Sequence, residues 1–90
     1  MTDIAEVVFY WRPGCPFCGR LEQALTQANI PTTKRNIWDD PSAAAFVRSV
    51  ANGNETVPTV TVGDESFVNP SPRKLKKVLE AKAPHLLLDQ

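Results

Sequence analysis

The sequence predicts an α/β domain with the element order β-α-β-α-β-β-α, a four-stranded mixed sheet with helices on both faces. Three observations predict it. Short runs rich in β-branched and aromatic residues alternate with longer runs whose apolar residues recur at helical spacing. Proline follows a capping position three times, at Cys15-Pro16, Asp40-Pro41 and Ser71-Pro72. Its fixed φ suits a first helical turn, where its missing N–H is not needed. Finally, Gly63-Asp64 separates two strand-like runs, as a tight hairpin requires.

The elements follow in order. Ile4 to Tyr10 reads as a buried strand, and Trp11 to Gly14 as the turn after it. From Pro16 to about Asn29, Phe17, Leu21, Leu25 and Ala28 keep helical spacing until Ile30-Pro31 stops the run. Thr32 to Trp38 reads as a second strand. Asp40 caps a second helix with Ala44, Phe46, Val47, Val50 and Ala51 on its apolar side, and Asn52-Gly53-Asn54 ends it. Val57 to Val62 and Glu65 to Asn69 form the hairpin. Ser71 caps a last helix whose stripe is Leu75, Val78 and Leu79. The first two strands, joined through a helix, are expected to be parallel by a right-handed crossover. The closing hairpin is antiparallel. We assign residues 1–83 to the domain and 84–90, with Leu86, Leu87 and Leu88, to a C-terminal tail without a function.

Composition narrows the function classes. Ten basic and ten acidic side chains cancel, so no general field attracts nucleic acid or an anionic membrane. No apolar run approaches the roughly 18 residues of a membrane span. The start, Met1 to Glu6, lacks the basic region of a secretory leader. The expected location is the cytoplasm and the expected state a monomer.

The chemistry lies in Cys15-Pro16-Phe17-Cys18, which holds the chain's two cysteines. With Cys15 at a helix N-cap and Cys18 one turn inside, unpaired N–H groups and the positive end of the helix dipole meet the Cys15 sulfur. Cys15 is therefore expected to be a stabilised thiolate and a nucleophile, with a resolving thiol beside it. Three other readings exist. A structural disulfide suits a small secreted chain. A zinc half-site needs two more ligands, and the sequence offers one histidine, distant His85. The third is a pair of inert cysteines. Position and spacing favour redox chemistry.

These residues carry a resemblance to the glutaredoxins, within the thioredoxin fold. It runs from Val7 to about Leu79 and rests on CPFC after the first strand, Thr56-Val57-Pro58 opening the third, and the hairpin with its final helix. More narrowly, the stretch from Ala43 to Val62 (AAAFVRSV, GN, TVPTV) and Asn69-Pro70-Ser71 are most similar to the actinobacterial mycoredoxins, which act with mycothiol in place of glutathione. The resemblance implies that Pro58 is cis and faces the dithiol. A cis bond there leaves the backbone groups of Val57 free to pair with a substrate. The alternative is a trans proline that opens a strand.

Glutathione-using members have a Gly-Gly turn and acidic residues before the last helix, which hold the ammonium of the γ-glutamyl group. Here Asn69-Pro70-Ser71-Pro72-Arg73-Lys74 stands instead. Arg73 and Lys74 repel an ammonium; each alone also reads as a solvated helix face. Mycothiol, an N-acetylcysteine on a pseudo-disaccharide, has no such ammonium, and its hydroxyls suit Asn69, Ser71 and the free N–H groups of the helix start. Arg12 has two readings: support for the thiolate or carrier, or a solvent-facing arginine. Phe17 is expected to stay partly exposed as an apolar contact for substrate, Trp11 to shoulder the groove, and Trp38 to pack. Glu6, the acid of the first strand, is expected far from the sulfurs, leaving activation to the helix terminus.

The expected function is that of a thiol–disulfide oxidoreductase. Cys15 would reduce mixed disulfides between proteins and a small thiol, with mycothiol as co-substrate. No cofactor is bound, and NADPH would supply electrons through mycothione reductase. One rival is a dithiol redoxin reduced by thioredoxin reductase and serving ribonucleotide reductase or peroxidases. The other is a non-enzymatic iron–sulfur carrier, two copies of which bridge a cluster through Cys15. The proline of CPFC argues against the second.

Overall fold

The computed structural model describes residues 7–87. Strand β1 (Val7–Trp11) is followed by helix α1 (Pro16–Gln27), β2 (Thr32–Asn36), α2 (Pro41–Val50), β3 (Thr59–Val62), β4 (Glu65–Val68) and α3 (Pro72–Lys82). This is the order the sequence predicts. The sheet runs β2-β1-β3-β4, with β1 and β2 parallel and the pairs β1–β3 and β3–β4 antiparallel. The expected start of the first strand at Ile4 lies outside the described residues, as do Glu6 and Leu88.

Each helix begins on a cap that its sequence supplies. Cys15, Asp40 and Ser71 are extended N-caps followed by proline, and each side chain accepts from an N–H of the first turn. Strands β2, β3 and β4 are one or two residues shorter than predicted, while β1 runs one residue further than expected, taking in Trp11. Strand β2 stops at Asn36 because the chain turns: the Trp38 N–H donates to the Asn36 side-chain oxygen (2.9 Å), and the Asp39 and Asp40 N–H groups to its carbonyl (3.1 Å each). Strand β3 starts at Thr59, after the proline that has no N–H to give the ladder. Strand β4 ends at Val68, since Asn69 takes φ 52°, left-handed backbone that asparagine tolerates better than most residues.

Both faces of the sheet are covered. On one, Val7 and Phe9 pair across strands with Val62 and Val60 and pack under Leu21 and Leu25 of α1 and Leu75 and Leu79 of α3. Each such side chain contributes about 1.5–3 kcal/mol through burial. On the other, Tyr10 and Ile37 pack against Ala43, Ala44 and Val47 of α2, and the Tyr10 ring stacks on Phe46 with centroids 5.0 Å apart. The start of the expected tail, Pro84–Leu87, forms a 3-10 turn after α3. Among the described residues no helix is long and apolar enough to cross a membrane.

Candidate active site

Strand β1 ends in Trp11, and Arg12-Pro13-Gly14 turns the chain into α1. Gly14 adopts φ 79°, a conformation open to glycine and strained for other residues. The turn delivers Cys15 as N-cap at the C-terminal end of β1, beside the carboxyl end of β2, where ligands of such sheets bind. The Cys18 N–H donates to the Cys15 sulfur at 3.2 Å, and the Cys15 thiol donates to the Val57 carbonyl at 3.8 Å. Both cysteines are free thiols. Their surroundings differ. Cys15 is half-buried, whereas Cys18 is 3% exposed and packed with Leu21 and Leu25. Burial above all, then the hydrogen bond with Cys15, pushes the Cys18 thiol up from 9.0 to about 12; the Arg12 backbone and charge pull weakly the other way. Cys18 is therefore a protonated thiol at neutral pH.

Opposite the dithiol, the Val57–Pro58 peptide is cis and Pro58 is buried. The Val57 N–H has no partner among the described residues, so an extended substrate can pair with it as an added strand. Two bonds fix this loop. The Asn69 N–H donates to the Pro58 carbonyl (2.7 Å), and the Thr59 hydroxyl donates to the Thr56 carbonyl (2.8 Å). Thr59 is fully buried and positions the loop, a role the sequence reading did not assign. Its signal there was faint: one polar residue directly after the proline.

The Asn69–Pro58 bond also carries the start of α3 to the site. Phe17, Arg20, Asn69 and Ser71 line one cleft of about 260 Å³. Phe17 is 58% exposed, with the Arg20 guanidinium 5.8 Å above its ring. Ser71 Oγ accepts from the Lys74 N–H (3.1 Å), while the Asn69 side chain makes no bond among the described residues. The structure thus brings together Cys15, Cys18 and the Val57–Pro58 peptide, and gathers Phe17, Asn69 and Ser71 in one cleft, while Thr56 is tied through its carbonyl to Thr59.

The Arg12 backbone and charge reach Cys18, while its side chain lies at Trp38. Its guanidinium lies 5.8 Å from the Trp38 ring centroid and donates to the Pro13 carbonyl at 3.3 Å. Trp38 was expected to pack, and the structure corrects this. It is 63% exposed, because the turn at Asn36 swings it away from the sheet. Trp11 is half-buried against the core on the α1 side. Among the described residues no three histidine, cysteine or carboxylate side chains gather as a metal would require.

Fold and site together define a dithiol redox protein of the thioredoxin fold: a capping cysteine, a buried partner thiol and a cis-proline loop facing them. Comparison with known proteins narrows the class. Residues 7–68 match the glutaredoxin family model. A protein of Mycobacterium tuberculosis that carries the glutaredoxin name is 41% identical over 76 residues, spanning 83% of this chain and 90% of its own. A glutaredoxin from Archaeoglobus fulgidus superposes with a TM-score of 0.70 at 26% identity, covering 83% of this chain and 86% of that one. The Escherichia coli NrdH-redoxin, a glutaredoxin-like protein with a thioredoxin-like activity profile, gives 0.69 at 25%, covering 81% and 93%. The chain belongs to the glutaredoxin family.

Proposed function

We propose that this protein is a thiol–disulfide oxidoreductase that reduces mixed disulfides between proteins and mycothiol. One observation carries the reading. Cys15 is the accessible sulfur, it receives the Cys18 N–H at 3.2 Å, and it lies at the carbonyl of Val57, whose N–H is unpaired among the described residues. Negative charge on that sulfur is met by a donor already in place and by the positive end of α1.

In the proposed reaction the Cys15 thiolate attacks the mycothiol sulfur of the mixed disulfide. The client sulfur leaves as a thiolate and takes a proton, and a Cys15–mycothiol disulfide forms. A second mycothiol thiolate then attacks the mycothiol sulfur of that adduct, giving mycothiol disulfide and restoring Cys15. NADPH returns the electrons through mycothione reductase. Alternatively Cys18 loses its proton and attacks Cys15, forming the internal disulfide and releasing mycothiol. With the Cys18 thiol pushed up to about 12, thiolate is scarce on that sulfur at neutral pH, which favours the route through the second small thiol.

The choice of carrier rests on the start of α3. Its first turn has no acidic residue, and the exposed Arg73 and Lys74 follow the cap. An ammonium is unwelcome there, while the unpaired Asn69 side chain and the Ser71 hydroxyl suit a carrier rich in hydroxyls.

A second reading has its own support. The likeness to NrdH-redoxin, together with the missing acids, fits a dithiol redoxin reduced by thioredoxin reductase. An NADPH-coupled assay separates the two. We expect turnover with mycothiol and mycothione reductase; turnover confined to thioredoxin reductase would replace the first reading by the second.

A further inference from the structure

An apolar recess lies away from the sulfurs. It is a trough of about 380 Å³ between α1 and α3, floored by Leu21, Leu25, Ile30 and Leu75. Ala24 and Ala28 line its α1 side, where short side chains leave it open. The trough shares Leu21 and Pro72 with the cleft that holds Phe17 and Asn69, so the two form one continuous track leading from Phe17 in the first turn of α1.

Charge follows the same track. Helix α3 bears Arg73, Lys74, Lys76, Lys77 and Lys82 against one acid, Glu80, in a chain whose net charge is zero. Arg73 and Lys76 form the rim of the trough, and Arg20 stands at its end toward the site. Nearby acids are engaged elsewhere: Glu65 with Lys82 at 2.8 Å and Glu22 with Lys34 at 2.5 Å. Among the described residues, none of Arg20, Arg73, Lys74, Lys76 and Lys77 has an ion-pair partner. Cations in the first turn of a helix oppose its dipole. A local rule broken with no compensating contact marks a surface kept for another purpose. Arg73, Lys76 and Lys77 are three and four residues apart, so they form a row along one side of α3 rather than a cup around a single anion.

We infer that the α1–α3 trough with its cationic rim docks a segment of the client protein that combines apolar anchors with acidic side chains. The inference deepens the oxidoreductase reading, because it treats the occupant as part of a disulfide-bearing client. Leucine-like side chains would enter between Ala24 and Leu75, and carboxylates would pair with Lys76, Lys77 and Arg73. The steering this provides depends on ionic strength.

The test needs no redox chemistry, so its outcome is separate from the identity of the thiol carrier. A cysteine-free peptide of alternating leucine and glutamate is titrated into the reduced full-length protein and followed by amide chemical shifts. We expect shifts at Leu21, Leu25 and Leu75. Binding should weaken about tenfold in a Lys76→Glu/Lys77→Glu variant, and likewise on exchange of the peptide's glutamates for glutamine. Ala24→Phe, which fills the trough and leaves the charges alone, should also remove binding. The amide spectrum of each variant shows whether it is folded. Equal binding of the glutamine peptide, or indifference to the charge reversals, overturns the inference. So does equal binding of polyglutamate, which would dispense with the trough. Phosphatidylglycerol vesicles captured through the same lysines, without peptide binding, would assign the face to a lipid surface and overturn it as well.

Discussion

Helices α1 and α3 begin with the same device and put it to different use. At α1 the Cys18 N–H donates to the Cys15 sulfur at 3.2 Å; at α3 the Lys74 N–H donates to the Ser71 hydroxyl at 3.1 Å. Both caps are extended, both are followed by proline, and both satisfy an amide that the helix leaves unpaired. The difference lies in the cap atom and in what faces it. Cys15 is half-buried against the Val57 carbonyl, whereas Ser71 is exposed and followed by two cations. A helix start is therefore a scaffold for chemistry and not its source. Reactivity needs a sulfur as the cap and a backbone that can hold the attacked disulfide in line with it.

The strongest way to break this comparison is to make the caps alike. Cys15→Ser keeps an oxygen cap like that of Ser71, so the fold should survive. Turnover of a mixed disulfide should fall by more than about a thousandfold, since the hydroxyl is not a nucleophile toward sulfur at neutral pH. Measured with the coupled assay, activity within tenfold of the unaltered protein would refute the role of Cys15.

The next effect sharpens the contrast within α1 itself. In the Cys15→Ser protein the remaining thiol is Cys18, and burial, the largest cause of its shift, is untouched. Its charged form is the one penalised, so reactivity toward iodoacetamide should be minimal at pH 7 and rise about tenfold per pH unit. The rise should continue beyond pH 9.0, where an ordinary thiol levels off. A plateau at or below pH 9.0 would show that Cys18 is not held protonated by its surroundings.

Much of this was legible in the sequence for a local reason. A proline after a capping residue fixes a helix start through backbone sterics alone, so Pro16, Pro41 and Pro72 placed all three helices and with them the dithiol. What depended on tertiary packing was not legible. Thr59 and Thr61 alternate with Val60 and Val62 as if they faced solvent. Yet α2 covers that side of the sheet, and Thr59 is fully buried. Alternation signals solvent only where one face is bare. Trp38 was misread because a strand was continued past Asn36, whose side chain ends it by capping the turn. The α1–α3 trough exists only once Ala24, Ala28 and Leu75 meet, and no spacing along the chain records that meeting.

The smallest expected effect tests the structural half of the comparison. Ser71→Ala removes the acceptor of the Lys74 N–H and should cost about 1 kcal/mol, the usual worth of an N-cap side chain. For a domain of this size that is a fall in Tm of roughly 4–8 °C. Ser71→Asp should restore it, since a carboxylate caps as well as a hydroxyl and meets both the helix dipole and the cations of the first turn. Calorimetry on the three proteins decides the matter. If the alanine and aspartate variants melt together with the unaltered protein, Ser71 is not acting as a cap. The likeness of the two helix starts would then be one of position without energetic content. If only the alanine variant melts low, the same hydrogen bond is structural at α3 and part of a reactive centre at α1, and the chemistry of the capping atom alone separates the two.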